Sequence, residues 1–171
     1  MTAGHQARVV FLCTGNAARS VMAGAMLAAR RDDVRITTAG THVIEGQPMS
    51  WRTRDAMTAL GVEAGGHRSR QLRDADVADA DVIVAMATEH VQYVRRRHPK
   101  AAPRAVTLKR LCRELADGPR SLADRVHDLA LDQIALEPWE DVEDPAGGDL
   151  DTFVHCAREL DALVEALAPR I

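Results

Sequence analysis

Four short runs rich in valine and isoleucine, at residues 9–12, 34–38, 82–86 and 105–108, are separated by segments of good helix formers. This alternation most constrains the chain. Strands alternating with helices predict a parallel sheet covered on both faces. The predicted helices are 20–30, 50–60 (after Pro48 and stopped at Gly61), 89–97 (before Pro99), 121–135, and a final one after residue 149. In the last, Leu150, Phe153, Val154, Ala157, Leu160, Leu163, Val164 and Leu167 recur at spacings of three and four, so one face is apolar. The expected fold is α/β: one domain spanning 1–171, a central four-stranded parallel sheet in a flavodoxin-like three-layer sandwich. Sites in such sheets lie at the carboxyl ends of the strands.

The first run, Arg8-Val9-Val10-Phe11-Leu12, ends there in Cys13-Thr14-Gly15-Asn16-Ala17-Ala18-Arg19-Ser20. A strand that turns through five residues into a helix aims backbone N–H groups and a helix N-terminus at one point, where a tetrahedral oxyanion fits. A thiol is mostly protonated at neutral pH, and such a setting stabilises the thiolate. Arg19 adds a full charge and a planar fork matching two phosphate oxygens, which lysine lacks. Gly15 is expected to take a backbone conformation closed to other residues. Ser20, at the helix start, is expected to cap it and to donate toward the Cys13 sulfur. The chain reads as an enzyme that attacks an oxyanion with Cys13.

Composition narrows the partners. Hydrophobic residues make up 46% and charged residues 27%, ordinary for a globular protein, and the net charge of −3 gives no reason to expect nucleic acid. No apolar run is long enough to span a membrane, and residues 1–8 carry no secretory signal, so a cytoplasmic protein is expected. Cys13, Cys112 and Cys156 are too widely spaced for a disulfide framework or a zinc pattern, and His90, His98, His127 and His155 have no ligand spacing. No metal and no organic cofactor is expected. Arg95-Arg96-Arg97 reads as the solvated end of a helix. No motif speaks to oligomeric state.

The cradle and the segments Thr38-Ala39-Gly40-Thr41, His67-Arg68-Ser69-Arg70-Gln71-Leu72, Asp81-Val82-Ile83-Val84-Ala85-Met86 and Asp144-Pro145 occur in an order that resembles the low-molecular-weight protein tyrosine phosphatase family, which includes related arsenate reductases. The resemblance runs over nearly the whole chain. It implies that Cys13 is the nucleophile and forms a phosphocysteine. Arg19 and the N–H groups of Thr14, Gly15, Asn16, Ala17, Ala18 and Arg19 would hold the phosphoryl oxygens. Asp144 would protonate the leaving oxygen and then activate water. Asn16 would keep the loop in shape, supported by Ser20, Thr38 and His67. The implied substrate is a phosphorylated protein or a small phosphomonoester.

The chain departs from that family in three places. Ala18 stands where many members carry a second cysteine, which removes a local disulfide with the nucleophile and leaves only the distant Cys112 and Cys156 as partners for oxidation. Val21 stands where proline is common. Residues 41–46 and 145–147 lack the aromatics that wall a phenyl ring in phosphotyrosine-directed members; Trp51 and Trp139 are the large rings that could replace them, or else pack partly buried. Two other readings stay open. One is arsenate reduction with a low-molecular-weight thiol, the thioredoxin-linked form being excluded because residues 87–98 contain no cysteine. The other is a non-catalytic oxyanion-binding regulator.

Overall fold

The computed structural model describes residues 5–63 and 65–171. Its elements run β1 (Arg8–Cys13), α1 (Arg19–Ala28), β2 (Arg35–Gly40), α2 (Trp51–Ala59), α3 (Asp74–Asp79), β3 (Val82–Ala85), α4 (Thr88–Arg97), β4 (Ala105–Thr107), α5 (Leu108–Glu114), α6 (Leu122–His127) and α7 (Leu150–Leu167). The four strands are parallel in the order β2-β1-β3-β4. β1 is therefore central, hydrogen-bonded on both sides, and its last residue is Cys13.

Side-chain alternation builds the two cores. Val9, Phe11, Val82, Val84 and Val106 face one way, into a cluster with α1, α5 and α7. Val10, Leu12, Ile83, Ala85 and Ala105 face the other, against Val77 of α3 and Val91 and Val94 of α4. Both faces are covered, which is why the strands read as continuous apolar runs. The predicted face of α7 is buried through Phe153, Ala157, Leu160, Val164 and Leu167. At about 1.5–3 kcal/mol per large apolar side chain, this face fixes α7 against α1 and α2.

Several boundaries differ from the sequence reading. The run 105–108 splits: Thr107 ends β4 and caps α5 by accepting from the Arg110 N–H at 3.3 Å, so Leu108 is helical. The expected helix 121–135 stops at His127. Ala130 takes a left-handed conformation (φ 48°), and Arg95 donates to the carbonyls of Leu131 (2.7 Å) and Ile134 (2.9 Å), which a continuing helix would use internally. Arg95 is thus an anchor, while Arg96 and Arg97 are exposed. α3 was not anticipated.

Candidate active site

The cradle forms where β1 turns into α1. Cys13 is buried, and its Sγ lies 3.0 Å from Ser20 Oγ. Ser20 Oγ in turn accepts from Asn16 Nδ2 at 2.9 Å, and Asn16 Oδ1 accepts from the Arg70 N–H at 3.0 Å. The Arg70 amide fixes which end of the Asn16 side chain is oxygen. Ser20 Oγ, accepting from Asn16, keeps its hydroxyl proton free to donate to the sulfur.

Asn16, fully buried, is the residue that turns the loop. It has φ 50°, in the left-handed region, which asparagine tolerates better than most residues. Gly15 does not take a positive φ, and a Cβ there would meet open space. The expectation that Gly15 supplies the special backbone is corrected: Asn16 does. The glycine with a steric role is Gly40. A Cβ on it would lie 2.5 Å from Thr14 O and 3.0 Å from Asn16 N, so its lack of a side chain lets the end of β2 lie against the loop.

His67 Nε2 donates to Asn16 O at 2.7 Å, as the resemblance implied. Ser69 Oγ donates to the same carbonyl at 2.8 Å. Thr38, expected in this support, is elsewhere. It pairs with Phe11 across the sheet and its methyl packs where a side chain on Gly24 would be. Thr38 shares a face of β2 with Gly40 but lies two residues farther from the loop, where it meets α1, whereas Ser69 approaches from the segment bonded beside Gly40. On the far side Thr53, from the first turn of α2, donates to Ala17 O at 3.0 Å. Ser20 does not cap α1. No side chain does, and among the described residues no protein acceptor takes the backbone N–H groups of residues 15–18. Those donors converge with the orphan N–H groups of the helix start, as an anion site requires.

Arg19 is buried, and its fork is aimed by the segment after residue 140. One terminal nitrogen donates to Val142 O at 2.9 Å; the other lies 3.2 Å from Asp144 Oδ2. That segment is tied down at four points. Glu140, with no exposed surface, accepts from Arg110 at 2.6 Å and from Thr107 Oγ1 at 2.8 Å. Asp141 Oδ1 accepts from the Thr88 N–H at 2.7 Å, Lys109 Nζ donates to Asp141 O at 2.7 Å, and Val142 N donates to Met86 O at 2.8 Å. Trp139 takes part in this anchor, covered by Arg110 and Arg113. Trp51 is half-exposed and stacked by Arg52.

His90 is the site residue that sequence reasoning missed. It is 1% exposed, accepts from the Ala87 N–H on Nδ1 at 3.1 Å, and reaches Thr14 Oγ1 with Nε2 at 2.8 Å. Burial, reinforced by the nearby Arg19 charge, pushes its pKa down to about 3. Nothing in its sequence spacing signals this, because its partner lies on a different strand. Cys112 is partly buried and Cys156 buried, which pushes their thiols up to about 11 and about 12. Among the described residues no group of three or more His, Cys, Asp or Glu side chains is gathered as metal ligands would be, and no helix is long and apolar enough to cross a membrane.

Residues 8–128 match the family described as low molecular weight phosphotyrosine protein phosphatase. The chain belongs to that family. It is a cysteine-based phosphatase, a hydrolase acting on phosphomonoesters. A protein-arginine-phosphatase of Geobacillus stearothermophilus is 29% identical over 165 residues, covering 96% of this chain and 95% of that protein. Low molecular weight protein-tyrosine phosphatase A of Mycobacterium tuberculosis is 33% identical over 170 residues, covering 94% and 86%. The crystal structure of a low molecular weight protein tyrosine phosphatase from T. tengcongensis superposes with a TM-score of 0.77 at 29% identity, covering 96% of this chain and 99% of that one. The four-stranded parallel three-layer fold is thus the family's fold.

Proposed function

We propose that this phosphatase acts on phosphorylated proteins in two steps through Cys13. The observation that carries the reading is the pairing, across one cradle, of a sulfur 3.0 Å from the Ser20 hydroxyl with a buried guanidinium that touches Asp144. The Cys13 thiolate attacks phosphorus, forming the S–P bond as the bond to the leaving group breaks. Arg19 and the N–H groups of residues 14–19 hold the equatorial oxygens, where charge is spread in the transition state. Asp144 gives its proton to the leaving atom. As a carboxylate it then takes a proton from water, which attacks phosphorus and releases Cys13. Binding of the phosphoryl group displaces Asp144 from Arg19, and the negative charge it brings favours the protonated acid.

The substrate we favour is a phosphorylated arginine, whose guanidino nitrogen is the leaving atom as its bond to phosphorus breaks. Residues 41–46 and 145–147 carry no Phe, Tyr or Trp, and Trp139 is held by two arginines, so a tyrosine ring has poor stacking partners. A protein-arginine-phosphatase matches along nearly the whole chain. Tyrosine stays the second reading because of the similarity to tyrosine phosphatase A. All three cysteines are unpaired, which suits a reducing, cytoplasmic setting, and the 171 residues work as one catalytic domain. The test is phosphate release from matched phosphoarginyl and phosphotyrosyl peptides. Faster release from phosphoarginine supports the reading. Preference for phosphotyrosine replaces it with the second, and thiol-dependent consumption of arsenate without phosphate release replaces both.

A further inference from the structure

We propose that Thr14 is a side-chain donor to the bound phosphoryl group and that His90 is the positioning residue that makes it one; this rests on the phosphatase reading above. His90 sits in the first turn of α4, the helix following β3, and its ring bridges two backbone segments. The Ala87 N–H donates to Nδ1, so the ring hydrogen must sit on Nε2. Nε2 lies 2.8 Å from Thr14 Oγ1. The threonine hydroxyl is then the acceptor of this bond. A hydroxyl has one hydrogen, and with its oxygen occupied by His90 that hydrogen is free to donate.

Among the described residues no protein acceptor takes it. Thr14 follows the nucleophile directly, and its own carbonyl is held by the His42 N–H at 3.0 Å, so the residue cannot turn away. A half-buried hydroxyl with an unspent proton beside an anion cradle is a donor waiting for an oxyanion. Burial and the Arg19 charge keep His90 neutral, so the ring does not lose its acceptor nitrogen over the pH range in which a cysteine phosphatase works. A charged imidazole would break the Ala87 bond and release Thr14.

The test compares Thr14→Val, which keeps the shape and removes the hydroxyl, with Thr14→Ser, His90→Ala and the Thr14→Val/His90→Ala double variant. Turnover of para-nitrophenyl phosphate and the inhibition constant of inorganic phosphate are measured, with melting temperature alongside. Loss of one oriented donor costs on the order of tenfold or more in kcat/KM. The expected result is that loss in Thr14→Val with weaker phosphate inhibition, a melting temperature lowered only by the unpaired His90 Nε2–H, and recovery of all three in Thr14→Ser. His90→Ala shows the same kinetic loss, and the double variant loses no more than either single one. Full activity in Thr14→Val overturns the proposal, as do effects that multiply in the double variant. Should His90→Ala fail to fold, the Thr14 variants decide alone. A parent protein that binds phosphate but turns over no phosphate ester strikes at the phosphatase reading, while the phosphate inhibition series, read as binding, still tests Thr14.

Discussion

Arg19 and Asp144 touch at 3.2 Å, one side chain buried and the other half in solvent. In the proposed mechanism the guanidinium that would bind phosphate is thus shared with the carboxylate that would protonate the leaving group. Replacing Asp144 by alanine should do two opposite things. Binding of inorganic phosphate should tighten about two- to fivefold, the worth of a partly exposed ion pair. Turnover should fall by roughly 10²–10⁴ for a basic leaving group and much less for para-nitrophenolate, which needs little protonation. Phosphate inhibition constants and a leaving-group series check both. Weaker phosphate binding would show that the carboxylate does not compete for Arg19.

Asn16 combines strain with four hydrogen bonds. Its side chain links Arg70 to Ser20, its carbonyl takes His67 and Ser69, and its φ is positive. Asn16→Ala should destabilise the protein by about 2–4 kcal/mol from two lost buried bonds and a left-handed alanine. Asn16→Gly should recover the backbone term but not the activity, because the Ser20 hydroxyl is no longer oriented. Denaturant unfolding and kcat separate the two.

The Glu140–Arg110 pair should govern stability in acid. Burial alone would raise the Glu140 carboxyl, but hydrogen bonds from Arg110 and Thr107 outweigh it and hold the group below the ordinary carboxylate value. A carboxyl lowered by folding contributes stability above its unfolded value and loses that contribution as pH falls through the folded one. Stability should therefore drop below about pH 4.5, and Glu140→Gln should flatten that drop. At neutral pH the same change leaves Arg110 with Glu114 and Glu137 as its remaining counter-charges and should cost about 1–3 kcal/mol. Urea midpoints of both proteins from pH 3 to 7, a range spanning the carboxyl titration, read out both effects.

His90 gives a second, separate acid effect. Its folded value of about 3 lies below the unfolded 6.5, so the neutral ring stabilises the fold above 6.5 and that stability is lost as pH falls. By pH 4 the loss is on the order of 3 kcal/mol. The ring should show no titration by NMR between pH 5 and 8, the range in which an ordinary histidine titrates.

Thiol chemistry should single out Cys13. The partly buried Cys112 and the buried Cys156 are pushed up to about 11 and about 12, so near neutral pH they stay protonated. Iodoacetamide should label Cys13 alone, inorganic phosphate should protect it, and Cys13→Ser should take no label. Peptide mass analysis checks this.

The fold was legible where local pattern and burial agree. The apolar runs became the four strands because both faces are covered, and the three-four spacing of α7 became its buried face. Legibility failed where a distant partner decides. The helix expected through residue 135 stops early because Arg95, some 35 residues upstream along the chain, takes its carbonyls. At the site, Cys13, Asn16, Arg19, Ser20 and His67 lie together, along with Asp144. Thr38 does not join them, because it lies two residues short of the loop end of β2 and packs against α1, and Ser69 does. His90 and Glu140 carry no spacing signal. Each acts through one residue on another element, Thr14 and Arg110, and only the fold brings those together.

The central claim is that Cys13 carries the phosphoryl group. The most direct measurement is mass analysis of the Asp144→Ala protein denatured rapidly during turnover of para-nitrophenyl phosphate. Without the carboxylate to activate water, the intermediate should accumulate, with one phosphoryl group on the peptide containing Cys13 and none in the Cys13→Ser/Asp144→Ala double variant. Turnover with the phosphoryl group on another residue, or with the Cys13→Ser protein as active as its parent, would contradict the account.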